Sequence, residues 1–170
     1  DQALIEAAEV AIFFFFFFVF SFFWVQQEDF DVAEELRQLR SSNPAIGAVV
    51  SFVGLGRDLN EGSAISSMTL EHYPGMTEKS LQQIVVAAQQ RWPLLAVRVI
   101  HRIGPLAPCD QIVLVAVASA HRGAAFAACE FIMDYLKTKA PFWKKEETPA
   151  GSHWVDARET DDSAAARWEN

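Results

Sequence analysis

Val97-Arg98-Val99-Ile100-His101-Arg102-Ile103-Gly104-Pro105-Leu106-Ala107-Pro108-Cys109-Asp110-Gln111-Ile112-Val113-Leu114-Val115-Ala116-Val117-Ala118 reads as two strands and the turn that joins them. Val97, Val99, His101 and Ile103 share one parity, as side chains on a single face of a strand do. Gly104, Pro105, Pro108 and Asp110 are turn formers, and Ile112 to Ala118 supplies the hairpin partner. The composition then changes: from about Ala120 to Lys137, alanine, phenylalanine, isoleucine and methionine suit a buried helix, with Ser119 as its expected cap.

Outward from this unit the same mixture repeats. Asp31 followed by Glu34 is a capping-box-like start, Val32, Leu36 and Leu39 recur at helical spacing, and Ser41-Ser42-Asn43-Pro44 stops a helix over 31–40. Ala45 to Leu55 reads as a buried strand and Ile65 to Tyr73 as another. Pro74 and Gly75 turn the chain, Thr77 is the expected cap of a helix to about Trp92 with Leu81, Ile84, Val85 and Ala88 on one face, and Pro93 ends it. Phe142 to Glu147 and His153 to Val155 are strands around a Pro149-Ala150-Gly151 turn, and the acidic tail from Asp156 is expected to form a loose terminal helix. Helices and hairpin-linked strands without a regular βαβ repeat predict an α+β fold rather than a doubly wound sheet.

One domain is the expectation for 170 residues. Its expected bounds are 24–158, with 159–170 as an acidic polar tail and 1–23 as a phenylalanine-rich extension outside the fold, a strand or helix packed on the core being the alternative. The stretch Val10 to Val25 is almost free of polar groups, but its 16 residues cover about 24 Å as a helix, short of a hydrocarbon core of about 30 Å. The acidic residues before it (Asp1, Glu6, Glu9) and the missing A-x-A pattern argue against a signal peptide. Membrane association is therefore not expected.

A net charge of −8 argues against a general nucleic-acid binder, whose affinity comes from a basic surface. Cys109 and Cys129 form no CxxC, and His72, His101, His121 and His153 form neither HxxxH nor HExxH. Free thiols, no metal, no cofactor of its own and a cytoplasmic location are the corresponding expectations.

Against this acidic background, Lys137, Lys139, Lys144 and Lys145 fall within nine residues with no acid between them. Crowded cations beside Phe142, Trp143 and Met133 could lower a lysine into the range for proton transfer or nucleophilic work; a solvated basic turn at a helix C-terminus is the plain alternative. His121 and Arg122 stand where a strand passes into a helix, a ready anion site, or else a surface ion pair. Arg57 follows Gly54-Leu55-Gly56, which is not a dinucleotide fingerprint. His121 and Lys137 are 16 residues apart, about 24 Å along one helix. A small substrate touching both would need a two-fold dimer in which one helix start meets the partner's helix end.

Read in order, Gly47-Ala48-Val49-Val50-Ser51-Phe52-Val53-Gly54, Arg57-Asp58, Leu70-Glu71-His72-Tyr73-Pro74-Gly75-Met76, Arg91-Trp92-Pro93, Ile100-His101-Arg102-Ile103-Gly104, Ser119-Ala120-His121-Arg122 and Asp134-Tyr135-Leu136-Lys137 through Phe142-Trp143-Lys144-Lys145-Glu146 resemble the motif series of the catalytic subunit of molybdopterin synthase. The resemblance implies a hammerhead-type α+β fold with a mostly antiparallel sheet. It implies a homodimer that binds a small ubiquitin-like sulfur-carrier subunit at each end, a heterotetramer. The implied activity is sulfur transfer from the carrier's C-terminal thiocarboxylate to cyclic pyranopterin monophosphate, forming the dithiolene of molybdopterin. By position, Lys137 and Lys144 would be catalytic, and Arg57 with His121, Arg122 and Arg158 of the other subunit would hold anionic groups. Phe52 and Met133 would line the pocket. Gly56 replaces an expected bulkier residue, which would loosen Arg57. The alternative within this resemblance is a dimeric partner of the carrier without catalysis.

Overall fold

The computed structural model describes residues 14–16, 19–41, 43–60, 62–140, 142–155 and 159–169. Its frame is a five-stranded sheet. The hairpin that decided the sequence reading is its centre: β7 (Leu94–Arg102) and β9 (Gln111–Ser119) pair antiparallel, with Val99 opposite Val115. β3 (Ala48–Leu55) lies antiparallel against β9 at one edge, β2 (Val19–Gln26) lies parallel to β7, and β1 (Phe14–Phe16) closes the other edge. The second sheet has β10 (Phe142–Thr148) between β11 (Gly151–Val155) and β6 (Ser67–His72), with β8 (Gly104–Leu106) beyond β6, all antiparallel. β4 (Leu59–Asn60) and β5 (Ser63–Ala64) form a small separate ribbon. The architecture is α+β and predominantly antiparallel, as expected.

The alternation of β7 and β9 divides the core between two faces. Val97, Val99, Val113, Val115 and Val117 meet α2 (Met76–Arg91) and α3 (Arg122–Lys139) through Leu81, Val85, Ala128, Phe131, Ile132 and Leu136. Ala96, Ile100, Leu114, Ala116 and Ala118 turn the other way onto α1 (Val32–Arg40), whose Leu39 is fully buried. Arg98 belongs to that second face. Only 3 % exposed, it is held by Glu35 at 2.6 Å and Gln38 at 3.0 Å, and its guanidinium lies over the Phe22 and Trp24 rings at 5.0 and 5.7 Å.

Five local expectations change. The boundary expected between 23 and 24 divides a strand: β2 begins at Val19, and Phe23, 2 % exposed, pairs with Val99 and packs in the core. The apolar run carries no alternation because both faces of that strand are covered. Ser119 is the last residue of β9, its hydroxyl donating to the Pro93 carbonyl; His121 stands at the N-cap of α3 and makes no side-chain capping bond. Gly75, not Thr77, precedes α2: Thr77 is buried in the first turn, where its hydroxyl accepts from the Tyr73 N–H, and Glu78 accepts from the Gly75 N–H. Residues 104–106, read as turn, form β8. The tail is not loose. α4 (Glu159–Ala166) folds against α3, and beyond it Trp168 reaches Asp134 through its indole N–H at 2.6 Å and meets the rings of Trp92 and Phe131.

Among the described residues no helix is long and apolar enough to cross a membrane. Cys109 is exposed and Cys129 buried, both as free thiols.

A cationic cleft at the end of helix α3

Between the two sheets, below the last turn of α3, lies a cleft of about 410 Å³. Helical spacing builds its first wall: Met133, Leu136, Lys137 and Ala140 recur at offsets of three and four and face one way. Strand alternation builds the second, since Phe142, Lys144 and Glu146 all point inward from β10 and pair with His72, Leu70 and Met68 of β6. The end of β3 brings Phe52 and Gly54, and the segment after it brings Arg57. Lys137, Lys144, Arg57, Phe52 and Met133, named from sequence, thus share one cleft although they come from four separate segments.

The charges are mixed rather than purely cationic. Glu146, 2 % exposed, lies 3.9 Å from Lys144 Nζ and 3.6 Å from His153 Nε2. Asp161 of α4 also reaches the cleft. His101 lies among these groups. Its ring stacks on Phe142 with centroids 3.7 Å apart and planes 15° apart, and its Nδ1 is 2.8 Å from the Arg102 carbonyl oxygen. Burial, with a smaller contribution from the charges of Lys137 and His72, pushes His101 down to about 4, so the imidazole is neutral at neutral pH.

Sequence reading had not assigned His101, Glu146 or Asp161 to the site. His101 shares strand parity with Val97 and Val99, and Glu146 lies two residues beyond Lys144 on the same face, so alternation carried a signal for both. Asp161 had none, because its approach depends on how the chain folds back after β11.

The backbone of Gly56, beside Arg57, is held on both sides. Its N–H donates to the Asp110 carbonyl, its own carbonyl accepts from the Cys109 N–H, and a Cβ there would stand 2.7 Å from the Ala107 carbonyl oxygen. Glycine is what lets these two segments approach. His121 and Arg122 are exposed at the opposite end of α3, outside the cleft. Arg158 lies outside the described residues. Among the described residues no three histidine, cysteine, aspartate or glutamate side chains gather as a metal-ligand set.

Fold and cleft together define a hammerhead-type α+β domain with a lysine-lined cleft. The family described as MoaE protein matches residues 25–139. The molybdopterin synthase catalytic subunit of Ralstonia nicotianae is 66 % identical over 144 residues, 85 % of this chain and 82 % of that protein. The corresponding subunit of Vibrio cholerae is 63 % identical over 145 residues, 85 % of this chain and 96 % of that protein. Among solved structures, the molybdopterin biosynthesis MoaE protein from Burkholderia ambifaria superposes with a TM-score of 0.74 at 56 % identity, covering 86 % of this chain and 96 % of that one. The chain belongs to the MoaE family, the catalytic subunits of molybdopterin synthase. Membership makes it a sulfurtransferase subunit of molybdenum-cofactor biosynthesis.

Proposed function

We propose that this chain takes sulfur from the C-terminal thiocarboxylate of a small ubiquitin-like carrier and adds it, twice, to cyclic pyranopterin monophosphate, giving the dithiolene of molybdopterin. The observation that carries this reading is the convergence of Lys137 from α3 and Lys144 from β10 on one cleft with Arg57. The three cations of the cleft, set against two carboxylates, suit a phosphorylated substrate and an anionic sulfur donor. The apolar surfaces of Met68, Leu70, Met133 and Leu136 beside it suit a heterocycle. Phe52 and Leu55, 41 % and 53 % exposed on the edge strand β3, leave an apolar rim at which a flexible carrier tail can enter.

In this reading the guanidinium of Arg57 neutralises phosphate, while a lysine amine moves protons as the thiocarboxylate sulfur adds to a ring carbon, oxygen leaves it, and water cleaves the carrier's acyl–sulfur bond to release a carboxylate. Glu146 fixes the position of Lys144 from below. His121 and Arg122, with Arg158, complete the anion grip from a second copy, so the working unit is a homodimer with a carrier at each end. Its compartment is the cytoplasm, where both thiols stay reduced.

Reconstitution with thiocarboxylated carrier and cyclic pyranopterin monophosphate, scored by dithiolene formation, tests the reading. Wild-type protein is expected to form product and Lys137→Ala to lose at least about a hundredfold in rate, the scale of a lost proton-transfer group. Undiminished product from Lys137→Ala would take Lys137 out of the chemistry, and product no greater with wild-type chain than without it would leave the chain a binding partner without catalysis.

A further inference from the structure

His101 is a second kind of group in the cleft, neither cation nor apolar wall. The Arg102 carbonyl can only accept a hydrogen bond, so Nδ1 at 2.8 Å carries the proton. In a neutral ring, Nε2 then keeps its lone pair. Nothing among the described residues donates to it. Among the described residues the buried polar side-chain atom left without a partner is Arg98 Nε, on the other face of the sheet; His101 Nε2, which has no protein partner, therefore keeps open surface, and the residue lines the cleft. Its orientation is fixed on two sides, by the Arg102 carbonyl at the ring edge and by the parallel Phe142 ring on its face.

We propose that His101 Nε2 is a ligand-facing acceptor that selects a bound heterocycle by one of its N–H groups, while Lys137, Lys144 and Arg57 take the ligand's anionic part. This deepens the proposed function and rests on it, since the reduced ring system of a pyranopterin carries N–H donors and its phosphate carries the charge. The division of labour follows from chemistry. Lysine and arginine offer only donors and would meet ring N–H groups donor to donor, whereas a fixed lone pair is complementary to them. A site built around such an acceptor discriminates against rings without the matching donor, because the lone pair is then stripped of water with nothing in return. Lys137 on α3 and His72 on β6 are the ionisable groups whose charges bear on the ring, and both disfavour a proton on Nε2, which preserves the acceptor.

The test uses the full chain assembled with thiocarboxylated carrier, as wild type, His101→Phe and His101→Gln. Phenylalanine keeps a ring to stack on Phe142 and removes the acceptor; the glutamine amide oxygen replaces it near the position of Nε2. His101→Phe is expected to raise KM for cyclic pyranopterin monophosphate about tenfold, the loss of one hydrogen bond. Inhibition by inorganic phosphate should be unchanged, and His101→Gln should restore KM to within about threefold of wild type. Unchanged KM in His101→Phe would overturn the proposal. So would parallel loss of phosphate inhibition in both variants, or a fall in kcat with KM unaltered, which would mark a ring that only steadies Lys137. Binding of a phosphate-free tetrahydropterin to the same three proteins separates this inference from the activity. If wild type forms no dithiolene yet binds the pterin about tenfold tighter than His101→Phe, the acceptor stands and the proposed reaction falls; equal binding by both removes the acceptor.

Discussion

His101 and Cys129 show how a residue's surroundings set its chemistry. With a folded value of about 4 against an ordinary 6.5, His101 makes a pH-dependent contribution to stability, because the folded chain resists a proton that the unfolded chain accepts. Above pH 6.5 both folded and unfolded chains are neutral at this site and the contribution is complete. As pH falls from 6.5 towards 4, the unfolded chain alone binds the proton, so stability declines, and it stops declining below 4. The contribution is about 3 kcal/mol at most. Urea unfolding of wild type and His101→Phe across this range should show a steeper acid-side loss for wild type; parallel curves would contradict the assignment. Burial pushes the Cys129 thiol up to about 11, whereas Cys109 is exposed on a left-handed backbone (φ 72°). A thiol reagent at pH 8 should therefore label one cysteine of the native chain quickly and the second only on unfolding.

At the scale of elements, α1 is attached to the sheet through a charge. Arg98 is sealed beneath it against Glu35, Gln38 and two aromatic rings. Glu35→Ala leaves that guanidinium without its counter-ion, and a loss of roughly 3 kcal/mol is expected in chemical denaturation. The same substitution at Glu34, whose bond to Arg37 lies on the surface and is screened by solvent, should cost clearly less. The C-terminal element is similarly anchored. Arg167 pairs with Asp134 at 2.8 Å and also with Glu130, and Trp168 packs on Trp92 and Phe131. Trp168→Ala should remove about 2 kcal/mol from the melting stability, a value scaled down because the indole is partly exposed. A tail without fixed contacts would show no change.

The same elements show what a sequence can and cannot disclose. Helices α1 and α2 follow from periodicity, because each buries one face against a neighbour, whereas β7 and β9 are buried on both faces and were legible from the turn formers between them. β2 escaped, since Phe22, Phe23 and Trp24 are apolar on both sides and a strand covered on both sides has no alternation to read. Ser119 misled because a hydroxyl at a strand end was spent on the Pro93 carbonyl, a partner 26 positions away. In the cleft, Met133 and Lys137 were connected by helical spacing. Their meeting with Arg57 and Phe52 was carried by the ordered resemblance, since local spacing holds no information about which strand end lies under which helix end.

At the scale of the whole molecule, the proposed dimer leaves each chain with half of a working site. Lys137 lines the cleft at one end of α3, and His121 and Arg122 are exposed at the other. The proposed dimer brings the helix start of one copy to the helix end of its partner, so each cleft draws on both chains. Mixing Lys137→Ala with Arg122→Ala chains tests this directly, with mixed dimers isolated by differential tags and supplied with thiocarboxylated carrier and cyclic pyranopterin monophosphate. Each parent dimer should be nearly inactive, while a mixed dimer should carry one intact site and regain up to about half of wild-type dithiolene formation. Mixed dimers that form and remain as inactive as their parents would contradict the shared site.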